Sequence, residues 1–185
     1  LKISINDLPK QITPDCAFFS IAFFGEKLMS KKLLKKLNVD IFFIKDLKKL
    51  EKFEADCIWE DINIRPKEFS IRIDSSMSGR RIIQALAHEM THIKQYATGE
   101  MSDLLGMNTL VSWRKGLRKQ RIDSEVVDYW EHPWEIEAYG REKCLTEMFK
   151  TYWRDIRSHA EEAYKAQPDS ANTPHTFILK TSSAE

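Results

Sequence analysis

Residues 88–92 read His88-Glu89-Met90-Thr91-His92. Side chains four apart on an α-helix stand one above the other on the same face, so His88 and His92 can offer two imidazole nitrogens to a single ion. Glu89, one step round, is placed to act on a water that the ion binds. The chemistry this spacing suits is metal-assisted hydrolysis. It requires a helix at this point and at least one further ligand from elsewhere in the chain.

Ser78-Gly79 precede the run, Gly99 follows it, and no Pro lies between. Ile82, Ile83, Leu86, Met90, Ile93 and Ala97 recur at spacings of three and four, which predicts a helix with one core-facing stripe. At about 100° per residue His88 and His92 fall on the opposite side, beside Arg81, Ala85 and Gln95. That polar face is either solvated or a metal face covered by another segment.

Catalytic zinc sites use three protein ligands and leave a position for water, whereas structural ones close with four. The three cysteines, Cys16, Cys57 and Cys144, have no paired spacing; they read as small buried hydrophobes of a reducing compartment. The remaining candidates lie between His132 and Gly140. Pro133 suits the first position of a second helix running through Leu145, Phe149, Trp153 and Ile156, which puts Glu135 in its first turn. Glu137 points roughly 200° away from Glu135, so only one of the two can face the ion. His132 offers an imidazole just ahead of the helix. Glu135, Glu137 and His132 all stay open on the residues alone, beside the plainer reading of acids favoured by a helix dipole.

A His-Glu-X-X-His helix, a connection of several tens of residues, and then a Glu in a second helix with Ala three positions later resembles the gluzincin arrangement of zincin metallopeptidases. Glu135-Ile136-Glu137-Ala138 is similar to the Glu-X-X-Ala of compact members such as the ImmA/IrrE-like peptidases, whose first Glu is a ligand. The resemblance implies His88, His92 and Glu135 as a Zn2+ site and Glu89 as general base. SprT-like proteases use a third His, which keeps His132 in view. The run from Asp128 to Glu142 is also similar to small zincin proteins encoded by tailed phages. The expected location is the cytoplasm, or a host cytoplasm or virion if the chain is phage-encoded. The layout resembles the family over residues 12–157, but only the two short motifs are specific. One departure stands out: the group usually carries Asp or Asn four residues after the ligand Glu, and here Tyr139 stands there.

Zinc held by two neutral imidazoles and a carboxylate lowers the pKa of bound water toward about 7 and polarises a carbonyl oxygen. Glu89 would take the water's proton and deliver it to the leaving amine of a protein or peptide substrate. Tyr139 and His132 are the candidate donors to the developing oxyanion. Their plainer roles are an aromatic packed between helices and a loop or cap residue. Three function classes follow: a zinc-dependent endopeptidase, a zincin-fold binding or virion structural protein without turnover, and a nucleic-acid-associated peptidase of the SprT-like kind.

The elements that must position these residues read as an α+β domain. A chain of 185 residues, 42% hydrophobic and 31% charged, suits one compact soluble core, and a net charge of +1 argues against a polyanion-binding surface overall. The longest apolar stretch, Cys16 to Phe24, is too short to span a bilayer, and residues 1–15 carry no signal-peptide pattern. Thr13-Pro14-Asp15 opens a long first helix or helix pair reaching Asn38. Val39–Ile44, Cys57–Ile64 and Phe69–Asp74 read as three strands of a small, mostly antiparallel sheet under the metal helix. In zincins the strand nearest that helix pairs with extended substrate, so the resemblance makes Phe69–Ile73 the candidate substrate edge.

The stretch from Gly99 to Glu131 reads as a solvated loop, with a hairpin flap or a nucleic-acid or acidic-partner surface as alternatives. Arg114, Lys115, Arg118, Lys119 and Arg121 supply its charge. Asp123, Glu125, Asp128 or Glu142 could hydrogen-bond the outer nitrogen of a metal-bound His. Residues 1–157 form the expected domain. Residues 158–185 continue a polar helix into a mobile tail, with His159 and His175 as bystanders.

Overall fold

The computed structural model describes residues 1–103 and 109–165. Its fold is α+β, with Leu1–Trp153 as one compact unit. The sheet has four strands, β1 (Lys2–Asn6), β2 (Asn38–Ile44), β3 (Ala55–Trp59) and β4 (Glu68–Asp74), in the order β1-β2-β4-β3. β2 runs parallel to both neighbours, with Ile41 opposite Ile5 on one side and Ile71 on the other, while β3 is antiparallel to β4.

Three expectations about this sheet are corrected. The sheet is mixed and four-stranded, because Lys2–Asn6, whose only apolar residues are Ile3 and Ile5, docks on β2 through its backbone. The helices between β1 and β2 form the long crossover that a parallel pair needs. The strand expected from Cys57 onward ends at Trp59: the Asp61 carboxylate accepts the amides of Asn63, Lys67 and Glu68 and folds residues 61–68 into a turn, leaving Ile62 and Ile64 exposed. Phe69–Ile73 is not an edge. β4 lies between β2 and β3 with Phe69, Ser70, Ile71 and Ile73 buried, as an interior strand requires, so the edges of the sheet are β1 and β3, and the edge beside β4 is β3.

Helix α1 (Pro14–Leu28) starts where Thr13 caps the Cys16 amide, and α2 (Lys31–Leu34) follows at once, the expected helix pair. A short α3 (Leu47–Glu51) links β2 to β3. Helix α4 (Gly79–Thr98) carries the histidines; Ser78 accepts the Arg81 amide at its start. Gly99 ends it at φ 77°, a left-handed conformation that a side chain resists. The predicted stripe of α4 is buried against α1 and the sheet. The other face is buried as well, because helix α5 (Pro133–Lys165) covers it. Phe149 of α5 sits 5.7 and 5.6 Å from the rings of Phe23 and Phe24 on α1, closing the core behind α4.

The stretch read first as a solvated loop, with a hairpin among the alternatives, contains a second antiparallel sheet, β5 (Met101–Asp103), β6 (Leu110–Lys115) and β7 (Arg118–Asp123), whose last two strands are a hairpin. Lys115 pairs with Arg118 across a two-residue turn in which Gly116 takes φ 61°. Buried Val111 and Trp113 anchor this sheet, with the Trp113 ring 6.4 Å from that of Trp134. A single 3-10 turn, Tyr129–Glu131, leads into α5.

From Arg154 onward the chain counts as a second unit, helical to Lys165, with His159 exposed and its Nδ1 on the Asp155 carbonyl. The expected tail and His175 lie outside the described residues. Among the described residues, no helix is long and apolar enough to cross a membrane.

Candidate metal centre

One helical turn of α4 stacks His88 over His92 with their Nε2 atoms 3.1 Å apart. The first turn of α5 brings Glu135 to the same point, Oε2 3.3 Å from His88 Nε2 and Oε1 3.5 Å from His92 Nε2. In a tetrahedron with bonds of about 2.0–2.1 Å the ligand atoms stand roughly 3.3–3.4 Å from each other. The observed separations lie near that edge length, but the two to Glu135 use different carboxylate oxygens; with one atom taken per residue, the three stand within 4.8 Å of one another. This buried His-His-Glu group could hold a metal ion. Glu137, the rival acid, faces elsewhere, its carboxylate on Lys94, Gln95 and Arg141.

The far nitrogens of the two rings show why an ion fits. Gln95 donates its amide nitrogen to the Trp134 carbonyl at 3.0 Å, and a carbonyl can only accept, so the Gln95 oxygen is the atom that faces His92 Nδ1 at 2.8 Å. His92 Nδ1 must therefore carry a proton. His88 Nδ1 lies 3.1 Å from the Glu142 carboxylate, whose other oxygen takes the Gln84 amide at 2.7 Å, so Nδ1 is the donor there too. In the neutral rings both Nε2 lone pairs then point at one another and at a carboxylate. No donor stands between these three acceptors, the Tyr129 hydroxyl reaching Glu135 Oε2 alone, so they repel each other and a cation between them removes the repulsion.

Electrostatics agree. Burial opposes charge on His88, yet the Glu135 and Glu142 carboxylates outweigh it and carry the metal-free imidazole up to about 9. His92 is raised against its burial by Glu135 and Glu89. Burial acts to raise Glu135, but hydrogen bonds from both histidines hold it well below the usual carboxylate range. In the absence of an ion, protons take its place.

Glu142 is the residue that the spacing left undecided. Tyr139, at the position where the resembled group carries Asp or Asn, lays its ring 4.6 Å from that of His88, and the carboxylate comes one turn later instead. Asp123 and Asp128 are spent on local turns, accepting the amides of Glu125 and Trp130. Comparison with protein families, curated proteins and solved structures returns no match. What the site can do therefore rests on its own geometry.

Glu89 lies beside the cluster, and burial pushes its carboxyl up despite the two histidines. It lines two clefts that meet at His88. The larger, of about 570 Å³, extends past Lys52, Phe53, Arg81, Trp130 and Tyr139. The smaller, of about 270 Å³, is bordered by Cys57, Tyr96, Met101, Trp134 and Glu135. Ala55 of the edge strand β3 borders both.

Tyr129 is a site residue that sequence reasoning missed. Its hydroxyl donates to Glu135 Oε2 at 2.8 Å, lies 3.5 Å from the Tyr139 hydroxyl, and its side chain borders both clefts. The one signal available was its place six residues before Glu135, ahead of a proline-started helix. His132, expected as a donor or ligand, is engaged elsewhere: Nε2 donates to the Val127 carbonyl and the ring stacks on Trp134 at 4.5 Å. It borders neither cleft.

Proposed function

We propose that this chain is a zinc-dependent metallopeptidase of the zincin type. The observation that carries the proposal is the meeting of His88, His92 and Glu135 in one buried cluster, their ligand atoms within 4.8 Å of one another, with Glu89 beside them and lining open clefts. His and carboxylate ligands suit zinc, which when bound acidifies water and polarises a carbonyl.

The chain's own residues divide the remaining work. Glu89, in a site that favours its protonated form, accepts the proton of the attacking water and returns it to the leaving amine. The free edge of β3 can pair with an extended peptide, replacing Phe69–Ile73 in that role, so that the scissile bond passes between the clefts. The Tyr129 and Tyr139 hydroxyls border the larger cleft, where a donor to the oxyanion is needed. Glu142 and Gln95 keep both ligand rings in the tautomer that frees Nε2.

The test measures zinc content and cleavage of an unfolded protein by the wild type and by Glu89→Gln. Equal zinc in both, with cleavage only by the wild type, is the expected result. Equal zinc with neither cleaving broad peptide libraries would overturn the peptidase reading in favour of a metal-holding protein without turnover.

A further inference from the structure

The peptidase reading leaves the second sheet unused. Its hairpin exposes Arg114, Arg118, Lys119 and Arg121, and among the described residues none of the four has a carboxylate partner. Register sets Arg114 opposite Lys119 and Ser112 opposite Arg121, so three cations share one face, while Arg118 extends beyond Trp113 on the other. The acids of this region sit at the far end: Asp123 pairs with Leu110 and Asp103 with Val111, and Asp103 accepts the Tyr96 hydroxyl. Glu100, whose carbonyl takes the Arg114 amide, commits its carboxylate to Lys94. In a chain of net charge +1, positive charge is thus concentrated on one end of one ribbon.

We infer that the β6–β7 hairpin is a docking ribbon for duplex DNA that contacts the phosphate backbone without reading sequence. Three of the four cations are arginines, whose planar forks match phosphate oxygens. Leu117 at the tip is the one apolar side chain exposed among them, so the hairpin lacks the aromatic and aliphatic anchors of a protein-binding surface. The hairpin also exposes no aromatic side chain on which unpaired bases could stack, which disfavours a single strand. β5 pairs with β6 only as far as Trp113, so the end that carries Arg114, Arg118 and Lys119 is a two-stranded ribbon; such a ribbon enters the major groove of B-form DNA, whereas that of A-form RNA is too narrow. This inference does not depend on the peptidase reading.

The experiment is anisotropy of a labelled random-sequence DNA duplex titrated with the full chain across a salt series. Four neutralised phosphates give a log–log slope near −3.6, a loss of about a hundredfold in affinity between about 50 and 200 mM salt. Replacing all four cations by Gln should abolish binding, and the Lys variants of the three arginines should retain it. Should the fourfold variant fold poorly, Arg118→Gln and Arg121→Gln singly should each flatten the slope by about 0.9. Unchanged binding in the Gln variants, or no salt-sensitive binding by the wild type, overturns the inference. So does polyglutamate competing as well as DNA, or an RNA duplex binding more tightly.

Discussion

Glu142 Oε2 lies 3.1 Å from His88 Nδ1, two helical turns beyond Glu135 on the same helix. One face of α5 therefore supplies both a candidate ligand and the group that orients another candidate ligand. Gln84 and Arg81 of α4 reach the second oxygen of Glu142, at 2.7 and 3.9 Å, so both oxygens of the carboxylate are held by α4. Glu142→Ala should weaken zinc binding roughly 10- to 100-fold, as loss of an orienting partner does. Tyr139→Phe should leave zinc affinity nearly unchanged. Chelator competition on both variants measures the difference.

Glu135 and Glu137 are separable by the same assay. Glu135→Gln should cost more than the roughly 100-fold that an orienting residue contributes. Glu137→Gln removes a contact to Lys94 and Arg141 but no ligand, and Lys94 keeps Glu100. Its expected effect is about 1 kcal/mol or less on unfolding in denaturant, with zinc affinity unchanged.

The pH dependence of stability should reverse when metal is supplied. In the metal-free chain His88 is raised to about 9, so its contribution is complete below its ordinary value and is lost as pH rises through about 9. Glu135 is lowered, so its contribution is present above the ordinary carboxylate value and is lost as pH falls. Metal-free protein should thus melt at its highest temperature in the mildly acidic range and soften toward pH 9. Zinc requires neutral imidazoles, so its affinity should climb over that same interval and binding should release protons. Calorimetry in buffers of differing ionisation enthalpy counts them. A zinc affinity independent of pH would contradict this account.

Tyr129→Phe separates positioning from ligation. The hydroxyl donates to the Glu135 carboxylate and Tyr129 borders both clefts, so on the peptidase reading its loss should leave zinc bound while lowering kcat by about 10²-fold, with little change in KM. A loss of zinc in proportion to activity would instead confine Tyr129 to holding Glu135.

The core offers a stability test independent of chemistry. Phe149 is almost fully buried between the α1 aromatics and Trp153. Phe149→Ala should cost about 3–5 kcal/mol in unfolding free energy.

Local signals in the sequence were enough to find α4, its stripe, the Pro133 start of α5 and the candidate ligands. Each depends on spacing within a few residues. What escaped depends on distant partners. Lys2–Asn6 has too little apolar pattern to announce a strand until β2 pairs with it, and the interior position of β4 depends on β2 and β3 pairing with its two sides. The charges of β6 and β7 masked the two strands, and burial does not alternate in β6, where Ser112 is buried between Val111 and Trp113. Glu142 was one of four acids with equal standing, and only the packing of α5 on α4 selects it. Tyr129 precedes its helix and reaches Glu135 because the 3-10 turn folds back, which no short-range pattern encodes.

Glu135 and His92 are separated by about forty residues of chain, and a shared ion would tie them together as a cross-link does, removing the freedom of that long loop from the unfolded chain. Both strands of the cationic hairpin lie inside the loop so closed. Loading the centre and fixing the hairpin would then be one thermodynamic event, and stripping the ion would loosen a surface that makes no contact with it.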